Sequence, residues 1–418
     1  MSGAVSLPPQ TPEALERSRG YGLRALARMV LPLLIGFAIT DWGVGVYHAG
    51  KVGESDSDAF MRDDQLGYVS RPNYVGVWRQ PADIPPAPPD AVRHNSFGLR
   101  SPEIPAAAPA DEVRVLALGA SLAYGAGRNV QETIWNYRLQ EMFDAKEAER
   151  GYPVRVLNGA VQGYSTYQAA KRGLLLIPEL EPDVIILFTR PGRQSMAAPS
   201  DSIESVEVGG HFVPLDVVEG ISKRSAWLPA GLHRFLLKHS NIYERYRTNR
   251  KTTDGDEELA PNFVLNRTED WPLGTRERVL ETLDQYRLLI DECAARGIEL
   301  RFALNTEPEQ QSEGRWVRFL EQRQITGAPA LGTPRTEPSE VLAELVQGIG
   351  GQAWDLWDMN MRFGQQPELY TNIQRGDDHW NGEGHFVVAR QLYLRLTDAG
   401  LLEAVAQRRE TRPRGATE

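Results

Sequence analysis

A three-layer α/β/α fold around a mainly parallel sheet is predicted by three observations. From residue 113 onward, short apolar runs alternate with longer stretches of helical periodicity, the pattern of parallel strands with helices on both faces. The first apolar run stops at Gly119 with Ser121 just beyond it, and in open sheets of this kind ligands bind at the carboxyl ends of strands. The chain has 418 residues, 41% of them hydrophobic, enough to bury the core of one large α/β domain with attachments, or of two modest domains.

The elements follow in order. The amino-terminal 28 residues contain Arg17, Arg19, Arg24 and Arg28. Met29 to Tyr47 then gives 19 mostly apolar residues, long enough to cross a bilayer. Asp41 opposes that reading at roughly 2.5 to 3.5 kcal/mol for a central carboxylate, but it lies off centre and can reach an interface. Arginines before the run and Glu54, Asp56 and Asp58 after it put residues 1–28 in the cytoplasm and the main domain in the periplasm or outside the cell. With no small-residue cleavage site after the run, an uncleaved single-pass signal anchor is expected.

Residues 48–112 are rich in proline (Pro85, Pro86, Pro88, Pro89, Pro102, Pro105, Pro109), which disfavours helix and stiffens the chain, so they read as a stalk. Within them, His94 to Arg100 (HNSFGLR) looks less like a linker and is expected to pack on the domain. The domain proper, 113–405, has strand candidates at Val113–Leu118, Val154–Leu157, Val184–Phe188, Ile298–Leu304 and Ala353–Leu356. Helices are expected over Glu132–Ala148, Tyr167–Ile177 and Arg276–Ala295. Residues 195–274 break the rhythm and read as an insertion or lid, with a hairpin at Ser205–Leu215 around Gly209-Gly210 and a helix near Leu232–Tyr246. The polar tail, 406–418, is expected to fray and to leave Arg408, Arg409, Arg412 and Arg414 in solvent.

Charge and cysteine content exclude several classes. A net charge of −10 opposes a nucleic-acid partner, which needs a concentrated cationic surface. The single cysteine, Cys293, allows no intrachain disulfide and no cysteine-built zinc site, and its neighbours suggest a buried helix position.

The chemistry-bearing residues are a serine and a distant histidine block. A serine hydroxyl is a poor nucleophile until a base takes its proton, and the base is best oriented by a carboxylate. Ser121 supplies the hydroxyl, His379 the base and Asp377 the carboxylate. Gly119-Ala-Ser-Leu-Ala123 is not a Gly-x-Ser-x-Gly elbow, which disfavours an α/β-hydrolase. Asp377, Asp378, His379, Glu383 and His385 could ligate a metal, but no His-Glu-x-x-His spacing is present, so no metal and no cofactor are expected. His385 reads as structural, and Asp377-Asp378 could instead cap a helix over Gly382–Leu396.

Four blocks over residues 94–395 resemble the SGNH (GDSL-type) hydrolase superfamily, in its membrane-anchored bacterial branch related to polysaccharide O-acetyl esterases and acetyltransferases. Gly119-Ala-Ser121 with Gly125 looks like the nucleophile block, and His94–Arg100 like a segment that precedes it. Asn158–Gln168 (NGAVQGYSTYQ) is similar to the glycine block, and Asp377–His385 to the terminal Asp-x-His-Trp-Asn block. The resemblance implies an SGNH or flavodoxin-like sheet. It also implies an oxyanion hole from the N–H groups of Ser121 and Gly163, and an O-acyl, in particular O-acetyl, ester of carbohydrate as substrate.

The sequence departs from the family in two places. Asp183–Phe188 runs into Thr189-Arg-Pro-Gly-Arg-Gln194 where the family has an oxyanion-binding asparagine. Arg190, Arg193 or Gln194 would have to substitute, or the chain is a catalytically weak or inactive scaffold that binds polysaccharide or envelope proteins. Ala120 replaces an aspartate outside the triad. The commoner family position for the orienting aspartate, three before the histidine, is Gly376 here, so Asp377 fits the shorter variant.

Overall fold

The structure, a computed structural model, describes residues 30–32, 35–44, 56–77, 88–105, 107–127, 130–189, 205–208, 211–214, 228–240, 242–243, 273–305, 337–356, 359, 366–372, 377–398 and 400–411. It opens with an antiparallel hairpin, β1 (Phe60–Asp63) and β2 (Gly67–Ser70), in which Phe60 faces Ser70 and Asp63 faces Gly67. Asp63 closes the turn, its Oδ1 accepting from the N–H groups of Gln65 at 2.9 Å and Leu66 at 2.8 Å. A second short antiparallel pair joins β3 (Val75–Gly76) and β4 (Val92–Arg93).

The main body then alternates as expected: β5 (Val113–Leu118), α1 (Ser121–Tyr124), α2 (Trp135–Asp144), β6 (Val154–Asn158), α3 (Thr166–Leu180) and β7 (Val184–Thr189). A hairpin, β8 (Ser205–Val208) and β9 (His211–Pro214), and α4 (Ala230–His239) lie in the stretch read as an insertion. The body resumes with α5 (Leu273–Arg296), β10 (Glu299–Leu304), α6 (Glu337–Gly348) and β11 (Ala353–Asp355). It ends with β12 (Tyr370–Asn372), β13 (Asp377–Trp380), α7 (Gly382–Thr397) and α8 (Leu401–Thr411).

Five strands form one sheet in the order β11-β10-β7-β5-β6, every neighbouring pair parallel. All residues of β5 and β7 are buried, which is why these central strands are continuous apolar runs rather than alternating ones. The chain leaves β5 for β6 on one side and returns to β7 on the other. Right-handed crossovers in opposite directions place α2 and α3 on opposite faces. α2 packs on α7, and α3 packs on α5, completing the outer layers of an α/β sandwich. Cys293 of α5 is buried in this core, and burial pushes its thiol up to about 12.

Two expectations are corrected. The described parts of residues 48–112 are not a stalk: Phe60, Leu66, Tyr68, Val92, Leu99 and Ile104 join the main hydrophobic cluster. The prolines stiffen that segment, but those six apolar side chains are buried on the domain, and with them His94, Asn95 and Arg100. The tail does not fray at residue 406, because α8 continues to Thr411 and its arginines find carboxylates at the amino-terminal end of the sheet. Arg408 donates to Glu299 at 2.6 Å, and Arg409 pairs with buried Asp183, whose Oδ2 also accepts from the Arg114 N–H at 2.9 Å. Arg412 and Arg414 lie outside the described residues.

The expected span is described only in part. Its described residues, 30–32 and 35–44, are helical, with Ile35, Phe37, Ile39 and Trp42 exposed. Among the described residues, no helix is long and apolar enough to cross a membrane. Asp41 is buried, and its Oδ1 accepts from Ser240 Oγ and from the Ile242 N–H, both at 2.8 Å. The carboxylate that makes the run costly in lipid is thus satisfied by the segment after α4.

Candidate active site

The sheet reverses direction of growth between β5 and β7, and the crevice at their carboxyl ends is where such a fold binds ligands. A pocket of about 30 Å³ lies there. Its described walls are Gly119 to Ala123 after β5, Tyr164 to Thr166 after β6, Phe188 and Thr189 at the end of β7, and Asn305 after β10.

Ser121 opens α1 and is 7% exposed. Gly119 makes the turn into it, with φ at +152°, and an added Cβ there would lie 2.9 Å from Ala123 Cβ and 3.0 Å from Phe188 Cβ. A side chain at that position would force the turn carrying Ser121 away from β7. As a helix of four residues, α1 cannot stabilise itself, since forming one turn costs more backbone freedom than its bonds return.

Buried side chains hold that turn by its carbonyl groups. Ala123 O accepts from Trp135 Nε1 at 2.6 Å and from Asn158 Nδ2 at 2.9 Å. Gly125 O accepts from Arg100 Nη1 at 2.6 Å. Arg100 is fully buried, bonded also to Gln131 Oε1 at 3.1 Å and stacked 5.0 Å from the Tyr124 ring centre. His94, the other end of the HNSFGLR segment, bonds through Nε2 to the Tyr124 hydroxyl at 2.6 Å and through Nδ1 to Arg71 O at 3.1 Å. Burial pushes its imidazole down to about 3, so it is a neutral brace and not an acid–base group at pH 7.

The glycine block forms the second wall. Asn158 ends β6, and its main chain bonds to Arg100 N at 3.0 Å and Ser101 Oγ at 2.7 Å. The loop then passes Gly163, whose φ of +82° suits glycine, and ends at Ser165, which caps α3 reciprocally with Gln168. Thr166 at the start of α3 accepts from Thr189 Oγ1 at 3.2 Å, tying the second and third walls.

The histidine block stands beside this pocket. β12 and β13 form a separate antiparallel ribbon, with Tyr370 opposite Trp380 and Asn372 opposite Asp377, and β13 lies against α1. The structure therefore brings the strand carrying Asp377 and His379 alongside the turn carrying Ser121. His379 is half-buried. His385 is fully buried in α7, its ring edge-on to Trp380 at 5.7 Å, and burial, with Arg100 and His379 nearby, lowers its basicity well below the usual imidazole range. That makes His385 a core residue. The N-cap residue of α7 is Asn381, not Asp377 or Asp378, and its side chain accepts from the Gly384 N–H at 3.0 Å.

Arg190, Arg193 and Gln194 lie outside the described residues. Among the described residues, no group of three or more histidine, cysteine, aspartate or glutamate side chains is placed to hold a metal ion. Sequence reasoning missed Asn305. It is 4% exposed, its N–H bonds to Thr189 O at 2.8 Å, and its Oδ1 has no hydrogen-bond partner among the described residues. The available signal was positional: Asn305 directly follows a strand at the carboxyl edge of the sheet, as Thr189 ends one.

No family model and no curated protein matches the chain. Solved structures with which it shares a partial likeness include a psychrotrophic esterase, EstA, from Pseudoalteromonas sp., at 11% identity and a TM-score of 0.35, covering 68% of this chain and 97% of that one. An acetyl xylan esterase, AlAXEase, aligns at 11% identity and 0.33 over 68% of this chain and 100% of that one. A lipase/acylhydrolase from Enterococcus faecalis aligns at 10% and 0.33 over 69% and 96%. Scores this low carry no inference about chemistry.

Proposed function

We propose that the chain is a serine-dependent ester hydrolase or O-acyltransferase of the SGNH type. The observation that carries the reading is the position of Ser121: on the first turn after β5, in the pocket at the sheet's switch point, with the strand of His379 lying against its helix. Ser121 Oγ attacks an ester carbonyl while His379 takes the hydroxyl proton. Asp377 precedes His379 by two positions on an extended strand, where such positions share a face, and its role is to fix the imidazole tautomer and offset the imidazolium charge. Negative charge on the carbonyl oxygen is met by the N–H groups of Ser121 and Gly163. Protonation of the leaving alcohol by His379 gives an acyl-serine, which water hydrolyses or a second hydroxyl accepts. No metal or cofactor takes part in these steps.

The substrate is an O-acyl, in particular O-acetyl, ester of carbohydrate in the cell envelope. The resemblance of the nucleophile, glycine and histidine blocks supports that substrate class. Residues 29–47 would anchor the chain with its main domain periplasmic or extracellular, as the arginine and carboxylate asymmetry around them suggests. A second reading, an inactive scaffold, follows from the asparagine lacking after β7. Turnover of p-nitrophenyl acetate and labelling by a fluorophosphonate probe, both abolished by Ser121→Ala with the fold intact, are the expected results. Unchanged turnover in Ser121→Ala removes that serine from the mechanism, and no labelling under any condition supports the scaffold.

A further inference from the structure

Tyr68 lies on β2, in the segment that reads as a stalk, and is 1% exposed. Its hydroxyl donates to the carbonyl of Gln162 at 2.7 Å. That carbonyl belongs to the same peptide unit as the Gly163 N–H, and no cis peptide bond is present among the described residues. In a planar trans peptide the C=O and N–H point in opposite directions. A donor fixed on the carbonyl side therefore fixes the direction of the N–H on the other side. We infer that Tyr68 is a positioning residue that aims the Gly163 N–H, a conclusion that rests on the oxyanion role proposed above for that group.

Two further observations make the pairing specific. The hydroxyl and the glycine occupy one space, since a Cβ added at Gly163 would sit 2.6 Å from Tyr68 Oη. Only a residue without a side chain lets the hydroxyl reach the neighbouring carbonyl. Tyr68 is itself held at both ends: its own carbonyl accepts from the Tyr164 hydroxyl at 2.5 Å, and its ring meets those of Tyr164 at 5.2 Å and Phe60 at 5.9 Å, both edge-on. One residue earlier but one, Leu66 O accepts from Gln168 Nε2 at 2.9 Å. The β1–β2 hairpin thus clamps the loop that carries Gly163, and the Tyr68 hydroxyl is the part of the clamp that touches the critical peptide.

An N–H that meets the oxygen only as negative charge develops contributes to kcat and not to substrate binding. Deleting an oxyanion donor outright costs about 100- to 1000-fold in turnover, and mis-aiming one costs less, about tenfold. The test is steady-state hydrolysis of p-nitrophenyl acetate by the full chain and three variants. Tyr68→Phe keeps the ring packing and removes only the hydroxyl. Gln168→Met cuts the neighbouring clamp bond and the bond from the Ser165 N–H to Gln168 Oε1, loosening the same loop more broadly without touching the Gln162 carbonyl. Ser121→Ala reports on the reading beneath. Expected is a tenfold or greater fall in kcat for Tyr68→Phe with KM within twofold, kcat within threefold for Gln168→Met, and no turnover for Ser121→Ala. Wild-type kcat in Tyr68→Phe, or an equal loss in Gln168→Met, overturns the positioning role while leaving the serine mechanism standing. Full activity in Ser121→Ala overturns both.

Discussion

Ser121 and His379 sit on neighbouring elements with very different supports. The serine rides a single helical turn whose carbonyls are taken by Arg100, Trp135 and Asn158, all completely buried, with His94 and Tyr124 packed behind it. The histidine rides a four-residue strand of a two-stranded ribbon outside the main sheet, and is half-buried. The proposed chemistry accounts for the difference. A nucleophile and its oxyanion donors work by standing still, and misplacement of about 1 Å is enough to cost a hundredfold. A base must gain and lose a proton at every turnover, and a histidine sunk as deep as His94 or His385 is kept neutral by desolvation.

The comparison is broken most severely on the histidine side. His379→Ala is expected to lower turnover of p-nitrophenyl acetate by about 10⁴-fold or more while leaving the urea unfolding midpoint within experimental error, because the ribbon's anchor in the core is the neighbouring Trp380 and the His379 side chain is only half-buried. Loss of folding in that variant would mean the His379 side chain is itself part of the core support. On the serine side, Asn158→Ala removes bonds to the carbonyls of Ala123 at 2.9 Å and Tyr124 at 3.4 Å. It is expected to cost about 2 to 4 kcal/mol of stability in urea denaturation, together with most of the activity.

A smaller effect comes from the buried imidazole behind the serine. His94 is pushed down to about 3 and binds its proton only on unfolding, so its contribution is fully present above the unfolded value of about 6.5 and declines as pH falls toward 3. At pH 5 this amounts to about 2 kcal/mol relative to pH 7.5. Urea midpoints at the two pH values measure it, and His94→Gln should flatten the dependence. The smallest expected effect sharpens the contrast from a third direction. Asn305→Ala should lower kcat/KM by about tenfold and leave stability equal or slightly higher, because it removes a buried amide oxygen that has no partner among the described residues. A clear loss of stability would show that the Asn305 side chain is structural.

The fold was legible wherever burial is local in sequence. β5, β6, β7, β10 and β11 fall within a residue or two of the apolar runs that predict them, since strands covered on both faces need unbroken apolar stretches. The β1–β2 hairpin was not legible. Phe60, Leu66 and Tyr68 are scattered among charged and small residues, and their partners lie about 100 positions away in the glycine block. α8 was missed for a related reason: its arginines look solvated until Asp183 and Glu299, more than 100 positions earlier, are brought beneath them. Within the site, Ser121 and the Asp377–His379 block could be picked out because each sits in a short recognisable pattern. Asn305 and Tyr68 sit in none.

Sequence by itself determined the α/β architecture, the identity of the candidate nucleophile and the histidine block, because hydrophobic periodicity and local motifs are properties of neighbours along the chain. Tertiary structure alone decided that β13 lies against α1, that His385 is core, that the supposed stalk clamps the Gly163 loop, and that a buried asparagine faces the pocket. Those outcomes depend on which distant backbone groups come within hydrogen-bonding reach, and no spacing along one strand of sequence encodes that distance.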